Sequence, residues 1–173
     1  MKVTRISPCL WFADQAEEAA NFYTSIFKDS KIVSITRYGA AGFEVHHRPA
    51  GSVMTVDFDL NGVRFTALNG GPVFVFNEAV SFQIICDSQN EVDYFWGKLT
   101  EGGDPRSQQC GWLKDKFGLS WQVVPDGMHE MLKDPQTEAA SRAMAAMLKM
   151  KKLDLPELKR AFAGKSTEAL KEA

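Results

Sequence analysis

The sequence predicts an α+β fold in which a strand–helix–strands unit occurs twice. Each half begins with a short apolar run, then an aspartate, and then an amphipathic helix. A shift of 73 positions, from residue 14 to residue 87, superimposes Asp14 on Asp87 and the two helices on each other. A shift of only 56 positions, from Gly62 to Gly118, superimposes the closing strands. The second half has therefore lost loop length between its helix and its last strand.

The composition is typical of a globular protein, with 45% apolar and 24% charged residues among 173. A formal net charge of −2 leaves no basic surface, so no nucleic-acid partner is predicted. The sequence shows no apolar stretch of membrane-spanning length and no signal-peptide pattern, so we expect no membrane association. Three distant cysteines without a CxxC motif favour a cytoplasmic protein without a zinc knuckle.

The first half alternates strand patterns with one helical stripe. Asp14, with Glu17 three positions on, matches a helix capping box. Asn61-Gly62 between two apolar runs is typical of a tight hairpin turn. The predicted elements are a strand at 6–12, a helix from Asp14, a strand at 31–38, a loop at 39–52 and a hairpin of strands 53–60 and 63–68.

The second half repeats this order and adds helices. Ser88 and Glu91 form a full capping box after a strand at 80–86. The closing strand ends at Pro125 and alternates Trp121 with Gln122, so one face suits a core and the other suits a pocket. Beyond it, the sequence predicts a helix capped by Asp134 and extending from 137 to 150. A second helix at 155–162 and a frayed end at 165–173 complete the chain.

Several motifs carry a family resemblance over nearly the whole chain. They are PCLWF at 8–12, AEEA with FY at 16–23, IFKDSKI at 26–32, ALNGGP at 67–72, KFGLSWQVVP at 116–125 and AMLKMKK at 146–152. Together they resemble the vicinal oxygen chelate superfamily, which includes glyoxalase I and the bleomycin- and fosfomycin-resistance proteins. Within it the chain is most similar to the PhnB-like subgroup, often labelled "3-demethylubiquinone-9 3-methyltransferase".

The resemblance implies paired βαβββ modules that form a cup-shaped mixed sheet with a C-terminal helical extension. The paired domain would cover residues 1–133, with modules at about 1–72 and 73–133. The helical extension would cover 134–164 and the tail 165–173. Members of the superfamily often dimerise, so a homodimer is expected.

Superfamily enzymes hold a divalent metal with one His or Glu from the first and last strand of each module. Carried over here, the four positions lie near Pro8, Thr66, Ser81 and Gln122, and none is an acid or an imidazole. An amide lacks the charge with which a carboxylate holds a cation. The resemblance therefore implies no bound metal and no cofactor. The histidines, His46, His47 and His129, are interpreted as surface residues.

Strand alternation predicts which side chains face the pocket. The ligand-binding candidates are Arg64, Thr66, Ser81, Gln83, Ser120 and Gln122, with Trp112 at the mouth. Arg64 is the cation among them, and the predicted face contains no Asp, Glu or His that could act as a base. The catalytic residues are therefore unknown.

Two functions remain open at this point. A metal-free module that binds a small organic ligand is favoured, because no base is evident. An isomerase or lyase of the superfamily type is the alternative. Methyl transfer in the chemical sense is not favoured, because no glycine-rich turn follows the first strand, as binding of S-adenosylmethionine in a doubly wound sheet requires.

Overall fold

The computed structural model describes residues 3–165 and divides the chain into two compact units, Met1–Phe76 and Asn77–Ala173. Both units combine helices with a mixed sheet, which confirms the predicted α+β class. The predicted frayed tail from residue 166 onward lies outside the described residues. None of the helices in the described part is long and apolar enough to cross a membrane.

The first unit holds a four-stranded sheet. Strand β1 runs parallel to β4, and the other neighbours are antiparallel, in the order β1-β4-β3-β2. The elements are β1 (Cys9–Phe12), α1 (Ala16–Ile26), β2 (Lys31–Arg37), the short helix α2 (Phe43–His46), β3 (Val53–Leu60) and β4 (Val63–Asn69).

One face of this sheet packs against α1. Val56 and Phe58 of β3 are buried beneath the helix, and the ring of Phe58 stacks on that of Tyr23 with centroids 6.2 Å apart. Ala19 and Ala20 are also fully buried, and their small side chains let the helix approach the strands closely. The opposite face of the sheet is therefore left for polar side chains.

Asn69 joins the end of β4 to the start of α1. Its Oδ1 accepts a hydrogen bond from the Ala16 amide at 2.8 Å, and its Nδ2 donates to the Val53 carbonyl at 3.1 Å. The predicted cap at Asp14 is wrong, because Gln15 precedes the first helical residue and Asn69 accepts from the amide of that residue. Gly70, the next residue, has no room for a side chain, because a Cβ at this position would lie 2.1 Å from the Trp11 ring.

The second unit holds three strands, β5 (Phe82–Cys86), β6 (Trp112–Lys114) and β7 (Ser120–Pro125), in the order β5-β7-β6. Its helices are α3 (Gln89–Thr100), α4 (Met128–Leu132), α5 (Glu138–Met147) and α6 (Leu155–Phe162). Within the described residues this unit has one strand fewer than the first. The 11 residues between α3 and β6 include Gly102, Gly103 and Pro105, which disfavour a strand. Part of this segment, Pro105–Ser107, forms a 3-10 turn.

The C-terminal segment packs on the second unit itself. The amides of Cys110 and Gly111 donate to the carbonyls of Met150 and Lys151 at 2.9 and 2.8 Å. Leu153 and Leu158 are buried, so the segment contributes to the core of this unit. Helix α5 is capped by Thr137, whose Oγ1 accepts from the Ala140 amide, and the predicted cap at Asp134 is therefore wrong.

Asp115 organises the turn between β6 and β7. Its side chain is only 2% exposed, and Oδ1 accepts hydrogen bonds from the amides of Phe117 at 2.9 Å and Leu119 at 3.1 Å. Oδ2 accepts from the indole nitrogen of Trp121 at 2.8 Å. One carboxylate thus fixes both the turn and the face of β7 on which Trp121 lies.

We expect Asp115→Asn to destabilise the protein by about 2 kcal/mol, because an amide presents at most one oxygen and would oppose its NH₂ group to a donor. Urea unfolding followed by circular dichroism measures the change. In a Trp121→Phe background, which lacks the indole N–H, the same substitution should cost measurably less. Equal costs in both backgrounds would show that the Asp115–Trp121 bond has no energetic role.

Candidate ligand-binding site

Five of the seven predicted site residues belong to the second unit, four of them on its sheet. Strand pairing sets Trp112 opposite Gln122 and Lys114 opposite Ser120, and it sets Gln83 beside Gln122. Residues in register share a face, so these side chains lie on one side of the sheet. Trp121 and Val123 lie on the other side and are buried, which confirms the predicted alternation of β7.

Gln122 is engaged by its neighbours on this face. Its Nε2 donates to Ser81 Oγ at 2.8 Å, and its Oε1 accepts from Gln83 Nε2 at 3.1 Å. The structure therefore brings together three of the predicted site residues. Their amide and hydroxyl groups already form a hydrogen-bonded chain, so a ligand in contact with Gln122 would have to share or replace these bonds.

A cleft of about 430 Å³ opens beside the same sheet. Trp112, Lys114 and Ser120 line it from the strands, and Glu78, Gln109 and Cys110 lie around it from the loops. Volumes of roughly 300–1,000 Å³ are usual for small-molecule sites. The cleft is thus large enough for a small organic molecule.

Ser120 is the unusual group in this cleft. The residue is 1% exposed, its Oγ is buried, and no hydrogen-bond partner for this atom is present among residues 3–165. An unpaired buried hydroxyl costs about 1–3 kcal/mol of stability. A hydroxyl that destabilises the fold and lines a cleft is a candidate for contact with a ligand.

Lys114 and Glu78 form an ion pair beside the cleft, with Lys114 Nζ donating to Glu78 Oε1. This hydrogen bond, followed by one to the backbone of Glu78 itself, holds the pKa of the Glu78 carboxyl below its usual value. The lysine side chain is 25% exposed and the glutamate side chain 62% exposed. The cation therefore lies deeper than its partner.

The other two predicted residues, Arg64 and Thr66, lie on the polar face of the first unit. Arg64 Nε and Nη2 donate to the two oxygens of Asp59 at 2.6 and 3.3 Å. This hydrogen bonding lowers the pKa of Asp59 and raises that of Arg64. Thr66 Oγ1 donates to Asp57 Oδ1 at 2.6 Å. Both predicted residues are thus paired with aspartates.

The expectation that the predicted inner face contains no acid is therefore wrong. Asp57 is in register with Thr66, and Asp59 with Arg64. The sequence could have predicted that both acids lie on this face, because the Asn61-Gly62 turn fixes the hairpin register and both acids alternate with buried residues. Asp57 Oδ2 also accepts from Ser34 Oγ at 3.2 Å, so both of its oxygens are hydrogen-bonded.

Strand register shows which residues lie beside the closing strands at the four positions carried over for a metal. Thr66 is in register with Cys9, and Gln122 is in register with Gln83. Burial, followed by the charge of Asp57, raises the pKa of the Cys9 thiol. Neither the four carried-over positions nor these register partners contain an imidazole or a carboxylate, so these residues do not fit the metal set of the superfamily. Residues 3–165 contain no cluster of three or more His, Cys, Asp or Glu placed to hold a metal ion.

Two of the three histidines are exposed as predicted, and His46 differs. His47 and His129 are exposed, whereas the His46 ring is partly covered and lies 4.5 Å from the ring of Tyr38. His46 Nδ1 also accepts from the Arg48 amide at 2.9 Å. His46 is therefore part of the local structure of the loop between β2 and β3.

Comparison with known proteins identifies the family. The family model described as 3-demethylubiquinone-9 3-methyltransferase matches residues 4–124. No curated protein matches the chain. Among solved structures, the PhnB protein from Bacillus cereus is 37% identical and covers 70% of this chain and 99% of its own, with a TM-score of 0.59.

Two more distant structures share the fold. A protein from Pseudomonas aeruginosa is 20% identical with a TM-score of 0.53, and the match covers 71% of this chain and 98% of that one. The fosfomycin resistance protein FosX from Mesorhizobium loti is 13% identical with a TM-score of 0.52, and the match covers 78% and 100%. The chain therefore belongs to the 3-demethylubiquinone-9 3-methyltransferase family, as does the similar PhnB protein by its description.

Proposed function

We propose that the protein binds a small organic ligand in the cleft of its second unit, without a metal ion. The observation that carries this proposal is the buried Ser120 hydroxyl, which lines the cleft and has no partner within the described residues. Stability alone would favour alanine at this position, because alanine has no polar group to desolvate. A ligand that hydrogen-bonds to this hydroxyl gives a physical reason for serine.

Trp112 supports the same proposal. It follows Cys110 and Gly111 in the chain and contributes its side chain to the cleft. An indole offers a large apolar surface on which a flat ligand can stack. The site would thus combine an apolar wall with a small number of polar groups, the usual composition of a small-molecule site.

Methyl transfer is not part of this proposal, despite the family's description. The first unit has no glycine-rich turn after β1, since β1 continues into Ala13-Asp14-Gln15. The sheets are mixed rather than doubly wound. The physical requirements for binding S-adenosylmethionine in the usual way are therefore unmet.

An isomerase or lyase reaction is the alternative function, and it needs a base next to the substrate. Asp57 and Asp59 are the acids that the structure adds to the polar face of the first unit, and Asp59 is paired with Arg64. Asp57 is the other candidate. Its two oxygens accept from Thr66 and Ser34, which favours a structural role for this carboxylate. Binding is therefore the function that we propose first.

Substitution of Ser120 by alanine separates binding from folding. We expect Ser120→Ala to raise the free energy of unfolding by about 1 kcal/mol, because it removes an unpaired buried hydroxyl. The same change should weaken ligand binding about 2- to 10-fold, the value of one hydrogen bond. Thermal unfolding measures the first effect. Saturation-transfer NMR with a library of monocyclic aromatic acids and amides detects the ligands, and a titration of each hit measures the second effect.

Ser34→Ala is the matched control, since that hydroxyl is exposed and bonded to Asp57. It should lower stability slightly and leave binding unchanged. Trp112→Ala, which removes the apolar wall, should weaken every ligand that Ser120→Ala weakens. If all hits bind both cleft variants as tightly as the unsubstituted protein, the cleft is not the binding site.

We also propose that the protein is a cytoplasmic homodimer. Three free cysteines in the described chain are compatible with a reducing compartment, and Met144 and Leu148 of the α5 region expose apolar surface that suits an interface. Light scattering should then give about twice the chain mass of 19.3 kDa. A monomeric mass would contradict the proposed dimer. Recovery of the protein in a membrane or periplasmic fraction would contradict the proposed cytoplasmic location.

A further inference from the structure

We propose that the cleft of the second unit selects small carboxylates, and that Glu78 occupies the position of the ligand carboxylate until one binds. The inference rests on the proposed binding function and adds the chemical class of the ligand. It also assigns the loop residue Glu78 a role as a displaceable internal competitor. Its basis is the arrangement of Lys114, Ser120 and Glu78.

Lys114 and Ser120 are cross-strand partners on the face that lines the cleft. Directly opposed residues in an antiparallel pair have Cβ atoms about 4.5–5.5 Å apart. A three-donor ammonium group and an unpaired hydroxyl, which is buried just beneath the cleft, therefore start from adjacent points of one strand pair, and rotation of the serine side chain would bring the hydroxyl to a bound ligand. A carboxylate has two oxygens, so it can accept from both groups at once.

The lysine needs an anionic neighbour. With its side chain 25% exposed, Lys114 is partly removed from water, and burying a charge without a partner is costly. Glu78 supplies the carboxylate from residues 70–81, a segment without helix or strand. Because the glutamate is 62% exposed, it lies on the solvent side of the pair. Its place on the lysine can therefore be taken from within the cleft.

The exchange has a small cost. The Glu78 carboxylate is mostly exposed, so its release into water carries only a minor penalty as long as another anion replaces it on Lys114. The incoming carboxylate restores the charge pairing with Lys114 and adds a hydrogen bond from Ser120, which Glu78 does not make in the structure. An aromatic or other apolar body would then lie against Trp112. A neutral ligand gains nothing from displacing Glu78.

Benzoate and its neutral isostere benzamide test this selectivity. Their dissociation constants are measured at pH 7 by NMR titration for the full chain and for Glu78→Gln and Lys114→Met. We expect benzoate to bind more tightly than benzamide, because only benzoate is anionic. Glu78→Gln should tighten benzoate binding about 2- to 5-fold, since the internal competitor loses its charge, and should leave benzamide within twofold. Lys114→Met should weaken benzoate about tenfold or more and spare benzamide.

Glu130→Gln is the matched control, because Glu130 belongs to an exposed ion pair with Lys133 in the α4 region. It removes the same charge from the chain without touching the cleft, so benzoate binding should not change. Circular dichroism confirms that each variant is folded. An equal gain from Glu130→Gln would show that net charge, not displacement, causes the effect.

The outcomes separate this inference from the binding proposal. If benzamide binds as tightly as benzoate and Glu78→Gln changes neither, carboxylate selection is wrong while binding in the cleft stands. If neither probe binds the unsubstituted protein or Glu78→Gln at millimolar concentration, carboxylate selection is also wrong. The binding proposal fails only when the hits of the wider library ignore Ser120→Ala and Trp112→Ala.

Discussion

The polar face of the second unit depends on hydrogen bonds that the Asp115 carboxylate accepts, among them those from the amides of Phe117 and Leu119 and from the Trp121 indole. Two of them close the turn that sets β6 against β7, and the third holds the indole of Trp121 on the core side. Side chains alternate along a strand, so fixing Trp121 on one face places Ser120 and Gln122 on the other. A register slip of one residue would bury the polar set and expose the tryptophan. The geometry of the cleft is thus a consequence of one buried acid.

In the first unit, the closing strand is held in place by a side-chain amide instead of a carboxylate. Asn69 ends the closing strand β4, accepts from the Ala16 amide and donates to the Val53 carbonyl. It thereby ties the end of β4 to β3 and to the distant helix α1, which lies over the apolar face of the sheet. An amide can do this because it is both donor and acceptor. Both units thus pair their first strand in parallel with their closing strand but hold that closing strand by different chemistry.

Sequence reasoning predicted the faces of the strands well and the pairing on them poorly. Strand periodicity was sufficient to separate Ser120 and Gln122 from Trp121, and the Asn61-Gly62 turn could also have revealed Asp57 and Asp59. The contact between Asn69 and Ala16 spans 53 positions, and no local pattern predicts a cap that comes from so far away. The isolation of the Ser120 hydroxyl depends on atomic packing, which periodicity does not describe. Strand β6 has only three residues, too few for alternation to be recognised.

Gln122 stands where the superfamily resemblance places a metal-binding acid, and an amide lacks the charge of that acid. An amide bonded on both sides, to Ser81 and to Gln83, is electrically neutral and has few bonds left to offer. Charge on the same face is instead carried by Lys114, and the loop residue Glu78 balances it. A strand residue is fixed by its ladder, whereas a loop carboxylate can move aside. The charged groups beside this face, Lys114 and Glu78, thus lie on the edge strand β6 and in a loop, whereas the neutral Gln122 lies on the central strand β7.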